Sequence, residues 1–132
     1  MIVVPPSEQL GASGKQGSQF TGLAVPHLTL SQDGVTINTV AFNPGARTHW
    51  HRHERGQILQ VLAGRGLVGL RDGTFHVIRA GDTVWTTPGE EHWHGAAQDA
   101  YLTHVAISLG VTEWAEAVDE HFYATTPTGA DR

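Results

Sequence analysis

The chain contains no cysteine, which excludes a disulfide framework and any thiolate ligand or nucleophile. Charged side chains make up only 16% of its 132 residues, too few for a coiled coil or a disordered acidic chain. Its lysines and arginines number eight and are scattered, so no basic patch predicts nucleic acid as a partner. No apolar run approaches the roughly 20 residues that a membrane-spanning helix needs.

The amino terminus gives no sign of a targeting segment. Residues 1–6 lack the basic start and the cleavable apolar core of a signal peptide. We therefore expect a cytosolic protein with neither a membrane nor a nucleic acid as a partner. The formal net charge is −5, and the length leaves room for a single domain.

Sixteen glycines and six prolines punctuate the chain, which favours a fold rich in turns. Residues 35–42 alternate with a period of two before an Asn-Pro-Gly turn, and residues 57–63 predict a strand that a glycine-containing turn at residues 64–66 closes. Asp72-Gly73 is typical of a tight hairpin. Many short strands joined by glycine-rich turns predict an all-β barrel or sandwich.

The expected organisation is an irregular arm, a barrel and a loose tail, over residues 1–18, 19–124 and 125–132. Within the barrel segment, residues 112–121 are the one candidate helix, with Thr112 as its N-cap. The alternative is an extended segment that packs Trp114 and Phe122 on the barrel.

Histidine is abundant: nine histidines stand against eight lysines and arginines, and most lie in the middle of the chain. His49, His51 and His53 would share one face of an extended segment, and His92 and His94 repeat the spacing. A single His-x-His pair is more often chance or an exposed pair, but two occurrences favour one shared site. Buried imidazoles without partners are costly, whereas a metal ion binds their lone pairs.

These histidines stand in two motifs that resemble those of the cupin family. The first motif is matched at Gly45, His51, His53, Gln57 and Gly64. The second is matched at Gly81, Pro88, Gly89 and His92. Three positions depart from the family pattern: Gln57 replaces the usual glutamate, Pro88 is displaced by one position, and Ala96 stands where asparagine is common.

The resemblance implies a single-domain antiparallel β-barrel, or jelly roll, that holds one divalent metal ion. Carried over residue by residue, it places the metal ligands at His51, His53, Gln57 and His92. A neutral Gln57 leaves the full +2 charge on the ion, which strengthens its Lewis acidity and weakens its retention. The resemblance favours manganese, while imidazole and amide ligands also suit iron, zinc, nickel and cobalt.

A narrower likeness is to the small bacterial cupins that act as manganese-dependent (R)-selective hydroxynitrile lyases. It is carried by residues 42–48, 81–85, 88–96 and 103–107. This likeness implies that His94 and His104 are catalytic bases in the cavity. The alternatives are that His94 orients a ligand and that His104 is a core histidine bonded to backbone.

The sequence also predicts where several other histidine, aromatic and polar residues lie. His49 departs from the lyase pattern, where a small residue is usual, so it could narrow the cavity, add a polar contact or serve as a further ligand. Trp50 and Trp85 are interpreted as core or interface aromatics. Asn38, Val40 and Ser108 are expected to line the cavity, and His27, His76 and His121 to lie at the surface.

The function that the narrower likeness implies is cleavage of a small organic substrate, a cyanohydrin, by a metal-dependent lyase. A metal-dependent dioxygenase and a cyclase or isomerase for polyketide or aromatic substrates are the alternatives. A small-molecule sensor ranks last, because the chain has no room for a DNA-binding domain. Exposed tryptophans and sheet edges predict a homodimer or a dimer-based tetramer.

Overall fold

The structure, a computed structural model, describes residues 1–9, 11–12 and 18–128. Within these residues the chain forms a short 3₁₀ turn, twelve strands and one short helix: Pro6–Glu8; β1 Gly11–Ala12, β2 Phe20–Thr21, β3 Ala24–Gln32, β4 Val35–Phe42, β5 Arg47–Thr48, β6 His51–His53, β7 Gln57–Leu70, β8 Phe75–Arg79, β9 Thr83–Thr86, β10 His92–Ala96, β11 Leu102–Leu109 and β12 Thr112–Trp114; and α1 Glu120–Ala124. No helix in this part of the chain has the length and apolarity that crossing a bilayer requires.

All the strand pairs are antiparallel, and β7 belongs to both layers of the fold. Its first half pairs with β11 and β9, in a layer that continues through β4, β3 and β1 and that we call the first sheet. Its second half pairs with β10 and β8, in a layer that includes β5, β6, β2 and β12 and that we call the second sheet. The two sheets curl around one interior, which confirms the predicted antiparallel barrel of jelly-roll type.

A glycine lies where β7 passes from one layer to the other. Gly64 has a φ of +85°, a region that favours glycine, and a Cβ there would collide with the Tyr101 carbonyl oxygen. The close approach lets Arg65 donate its backbone N–H to that same oxygen. Gly64 therefore allows one strand to serve both sheets.

Alternation along the strands separates the interior from the outside. In β11, Leu102, His104, Ala106 and Ser108 are buried, and the residues between them are half-buried. One apolar cluster, which includes Phe42, Val61, Val68, Ile78 and Leu102, fills the barrel. A second cluster joins the carboxyl-terminal segment to the second sheet and contains Trp50, Leu67, Trp93, Val118 and Tyr123.

The predicted helix over residues 112–121 is wrong, and the extended alternative describes this segment better. Thr112–Trp114 is a strand because the open edge of β6 pairs with it. The helix begins after Asp119, whose carboxylate accepts a hydrogen bond from the Phe122 backbone N–H. Phe122 packs against the second apolar cluster, as the extended alternative expected.

The two ends of the chain were predicted to be an irregular arm and a loose tail. The arm contains the 3₁₀ turn and the two-residue β1, which pairs with β3; residues 10 and 13–17 lie outside the described residues. In the tail, Thr126 is buried and its carbonyl oxygen accepts a hydrogen bond from Gln98 Nε2 at 2.7 Å. Thr126 is therefore held against the rest of the chain, Thr125 and Thr128 are exposed, and residues 129–132 lie outside the described part.

Candidate metal centre and the histidine pair beside it

Three buried histidines converge inside the second sheet. The short strand β6 turns His51 and His53 inward and leaves Arg52 exposed. Strand β10 is its neighbour, and His92 stands directly opposite His51 in the register. Each of the three side chains offers a ring nitrogen, and these atoms all lie within 4.8 Å of one another. The structure thus brings together all three predicted histidine ligands.

The Nδ1 atom of each of these rings is already hydrogen-bonded. His51 Nδ1 lies 2.9 Å from the His49 carbonyl oxygen, and His92 Nδ1 lies 3.0 Å from the Glu90 carbonyl oxygen. Because a carbonyl only accepts, both Nδ1 atoms carry the proton and both Nε2 atoms keep a lone pair. His53 Nδ1 lies 2.9 Å from the Thr112 hydroxyl. Such bonds fix the ring orientation that a metal ligand needs.

All three rings are held in the neutral form. Burial, and then the proximity of His92, keep the pKa of His51 well below its usual range. Burial lowers the pKa of His53 to about 4 and also lowers that of His92. A neutral imidazole is the form that binds a metal ion.

Gln57, at the start of β7, completes the group. Its Nε2 atom donates to the Ser108 hydroxyl at 3.0 Å, and its Oε1 atom lies 3.0 Å from His92 Nε2. Since His92 carries its proton on Nδ1, this contact sets two lone pairs against each other. A cation shared by the two atoms would relieve that repulsion.

The donor set fits a divalent metal ion. His53 Nε2 is buried and has no hydrogen-bond partner within the described residues. Three neutral imidazoles and an amide oxygen suit manganese, iron, cobalt, nickel or zinc. His51, His53, His92 and Gln57 are the residues that could hold such an ion.

A second pair of histidines lies beside this cluster. His94 on β10 and His104 on β11 are buried, and His104 Nε2 lies 2.9 Å from His94 Nδ1. The His94 ring centroid is 5.1 Å from that of His51 and 4.8 Å from that of His104. His94 therefore lies between the cluster and His104, which places both predicted catalytic histidines next to the candidate ligands.

The pair combines a free proton donor with a free acceptor. Burial, and then the proximity of His104, hold the pKa of His94 well below its usual range, and burial lowers the pKa of His104 to about 4. A neutral imidazole has one N–H and one lone pair, and the mutual hydrogen bond uses one of each. The remaining atoms, His94 Nε2 and His104 Nδ1, are buried without a partner in the described part of the chain. One of them offers a lone pair and the other an N–H, the two groups that a proton transfer would use.

His49 lies outside the cluster. The chain bends at Trp50, which is buried in the second apolar cluster, so inward alternation begins at His51. His49 is half-buried and contributes its backbone carbonyl to His51 Nδ1. His49 is therefore not a member of the histidine group that could bind a metal, although it lies only two residues before His51 in the sequence.

Several other predicted positions can now be placed. Val40 and Ser108 are buried and Asn38 is half-buried, on strands that line the interior. His76 and His121 are exposed, whereas His27 is half-buried and lies 2.7 Å from Gln9 Oε1. Trp50 is buried and Trp85 is 52% exposed.

Two residues beside the candidate ligands escaped the sequence reasoning. Thr112 bonds His53, and the Trp114 ring centroid lies 4.5 Å from that of His51. No motif spacing relates residues about 60 positions apart in the sequence. Thr-Glu-Trp is compatible with a β-strand, but the residues around it have a helical pattern, which favours the other prediction. Strand pairing between β12 and β6 brings them to the site.

Comparisons with known proteins agree with this geometry. Residues 38–108 match the family model described as the cupin domain. A protein of Granulicella tundricola named (R)-mandelonitrile lyase is 45% identical over 120 residues, which cover 85% of this chain and 92% of that protein.

Solved structures show the same fold. A cupin-like protein of Thermotoga maritima superposes with a TM-score of 0.83 at 36% identity, covering 90% of this chain and 96% of that one. A polyketide cyclase of Streptomyces resistomycificus superposes with a TM-score of 0.70 at 16% identity, covering 93% and 90%. At that identity the second likeness concerns the fold alone.

Proposed function

The chain belongs to the cupin family, and from that premise we propose that it is a metal-dependent lyase that cleaves and forms cyanohydrins. The observation that carries the proposal is the neutral, buried His94–His104 pair beside a donor set without a carboxylate. The name of the Granulicella relative, (R)-mandelonitrile lyase, supports the same reaction class. The substrate would be a small organic 2-hydroxynitrile.

The proposed ligands are His51, His53, His92 and Gln57, with manganese as the favoured ion. A bound divalent ion would supply Lewis acidity that stabilises negative charge on the substrate oxygen. Because all four proposed ligands are neutral, none of them reduces the charge available for that task. Such a reaction needs no change of metal oxidation state.

The histidine pair supplies the proton transfers. The unpartnered lone pair of His94 or His104 accepts the proton of the substrate hydroxyl, and the oxygen forms a carbonyl with its carbon. The bond between that carbon and the nitrile breaks, and its electron pair leaves with cyanide. The imidazole then returns the proton to cyanide, so that one cyanohydrin gives one aldehyde and one hydrogen cyanide.

The lyase proposal is tested by turnover of an aromatic cyanohydrin under nitrogen. We expect aldehyde release, followed by absorbance, at the same rate with and without dioxygen, because no step needs an oxidant. Redox-inactive zinc should also support the reaction at a reduced rate. Folded protein shown by metal analysis to be loaded, yet inactive under nitrogen with every divalent metal tried, would contradict the lyase. Turnover only in the presence of dioxygen would favour the dioxygenase instead.

We also propose that the outer face of the first sheet binds a second copy of the chain. Register places an apolar row across four neighbouring strands, Ile37, Ile107, Ile58 and Trp85. None of the outward residues within β4, β9, β11 and the first half of β7 is charged. On a chain of net charge −5, an uncharged face can meet its own copy without repulsion.

The size of this face supports the same partner. With β3 added beyond β4, the face has five strands about 4.8 Å apart, from four residues (β9) to nine (β3) long. Together they span roughly 600 Å² in projection. This area is of the order of the ~800 Å² that each partner contributes to a standard interface. Val25 and Leu62 are exposed and add apolar surface near one end of the face.

Replacing Trp85 with glutamate should convert the dimer, or the dimer of dimers, to smaller species. A charge placed on the apolar row would have to be desolvated in each copy of the interface. Light scattering coupled to size exclusion at micromolar concentration measures the mass. Val111→Glu is the matched control, because Val111 is equally apolar and 64% exposed but lies outside the face. A wild-type mass of one chain would overturn the proposal.

A further inference from the structure

The guanidinium of Arg71 joins three chain segments that lie next to the candidate metal centre. Its Nε–H donates to the Glu91 carboxylate at 2.7 Å, and its two Nη groups donate to the Glu116 carboxylate at 2.9 and 2.8 Å. Its Cζ atom lies 4.0 Å from the ring centroid of Trp50. Because Arg71 itself directly follows β7, one side chain ties four parts of the chain together.

Two of these partners stand immediately before proposed metal ligands. Trp50 precedes His51, the first residue of β6, and Glu91 precedes His92, the first residue of β10. Neighbouring residues of an extended segment turn to opposite faces. Trp50 accordingly packs in the second apolar cluster while His51 faces the interior. Arg71 therefore bonds these segments from the side of the sheet away from the ligand nitrogens.

Strand pairing between these two segments is slight. In the register, β6 and β10 meet at one pair, His51 opposite His92. The other edge of β6 is fixed more firmly, because β12 pairs with all three of its residues and the Trp50 N–H donates to the Glu116 carbonyl oxygen at 2.9 Å. Glu116 is thus attached to the segment that leads into β6. Arg71 bridges that unit to the segment that leads into β10.

We propose that Arg71 is a positioning residue that keeps His51 and His92 close enough to bind one metal ion. A single exposed ion pair contributes little, but this guanidinium binds two carboxylates with its planar fork and stacks on an indole ring. Without it the two segments separate more often, and fewer molecules have converged ligands. Metal affinity scales with that fraction, so binding weakens. The inference rests on the proposed metal site but not on the proposed reaction.

The test is the affinity of purified protein for manganese at fixed pH and ionic strength, measured by titration calorimetry. Arg71→Met should weaken binding by about tenfold, the loss expected if about one molecule in ten keeps its ligands converged. The sign separates positioning from electrostatics, because loss of a positive charge alone would strengthen the binding of a divalent cation. Arg71→Lys keeps the charge but lacks the fork, so its affinity should fall by about threefold or more.

Arg52→Met is the matched control. Arg52 lies between His51 and His53, is exposed, and donates from Nε and Nη2 to Glu113 at 3.0 and 2.6 Å. The variant loses the same charge and another exposed ion pair, but this pair joins strands that are already paired at three positions. We therefore expect manganese affinity within about twofold of wild type.

Circular dichroism checks that each variant is folded, and Arg71→Lys carries the same test if Arg71→Met is not. Unchanged or tighter binding by folded Arg71→Met would overturn the proposal, as would wild-type affinity in Arg71→Lys. So would an equal loss in Arg52→Met, because any exposed ion pair would then have the same effect. Wild-type protein that binds no divalent metal would overturn the metal site itself, and an inactive but metal-binding protein would overturn only the lyase.

Discussion

Replacing His51 with alanine should remove almost all bound metal while the barrel stays folded. The change deletes one of three converging imidazoles, and the loss of a metal ligand should lower affinity by at least about 100-fold. The barrel should survive because its main apolar cluster, around Phe42 and Leu102, does not include His51. Metal content is measured by mass spectrometry after loading and dialysis, and folding by circular dichroism.

His76→Ala is the matched control for this experiment. His76 is an exposed histidine on β8, so its loss removes an imidazole without touching the cluster. We expect this variant to retain the wild-type metal content. Stoichiometric metal in the His51→Ala variant would contradict the assignment of the site.

Replacing His104 with alanine should lower cyanohydrin turnover by about 10² to 10⁴, the range typical of general acid–base groups. The variant removes the hydrogen-bond partner of His94 Nδ1, and with it one half of the proton-transferring pair. His104 is not among the grouped ligands, so we expect an unchanged metal content. Steady-state kinetics with metal-loaded protein measures the effect, which should fall on kcat.

A second replacement at this position tests whether lost turnover in His104→Ala comes from collapse of the cavity rather than from loss of the base. His104→Gln fills most of the volume and offers a hydrogen bond to His94, but it cannot act as a base at neutral pH. It should therefore match alanine in turnover while retaining more of the wild-type thermal stability. If either folded, metal-loaded variant turns over within about threefold of wild type, His104 is not the base.

The sequence predicted the parts of the site that lie within one strand. Alternation along β6 places His51 and His53 on one face whatever the rest of the chain does. The resemblance to cupin motifs then added Gln57 and His92 from other strands. Periodicity alone could not add these two residues, because it predicts that a side chain faces the interior but not which other side chains it contacts.

Interactions between distant strands account for what the sequence could not predict. Residues 112–114 have a local pattern compatible with a helix, and the unpaired edge of β6 overrides it. Ser108 was expected to line the cavity, yet its specific contact with Gln57 depends on the register of β11 against β7. The bend at Trp50 that separates His49 from its neighbours follows from burial of an aromatic ring in a cluster assembled from remote segments.

The pairing of β12 with β6 also bears on when the candidate metal site can form during synthesis. His51 and His53 are made early, but β6 is three residues long and its two neighbours, β10 and β12, are made some 40 and 60 residues later. A partly synthesised chain therefore contains ligating imidazoles with no sheet to align them and no Thr112 to orient His53. A strand this short is not stable alone. The candidate metal site can thus form only after synthesis has passed β12.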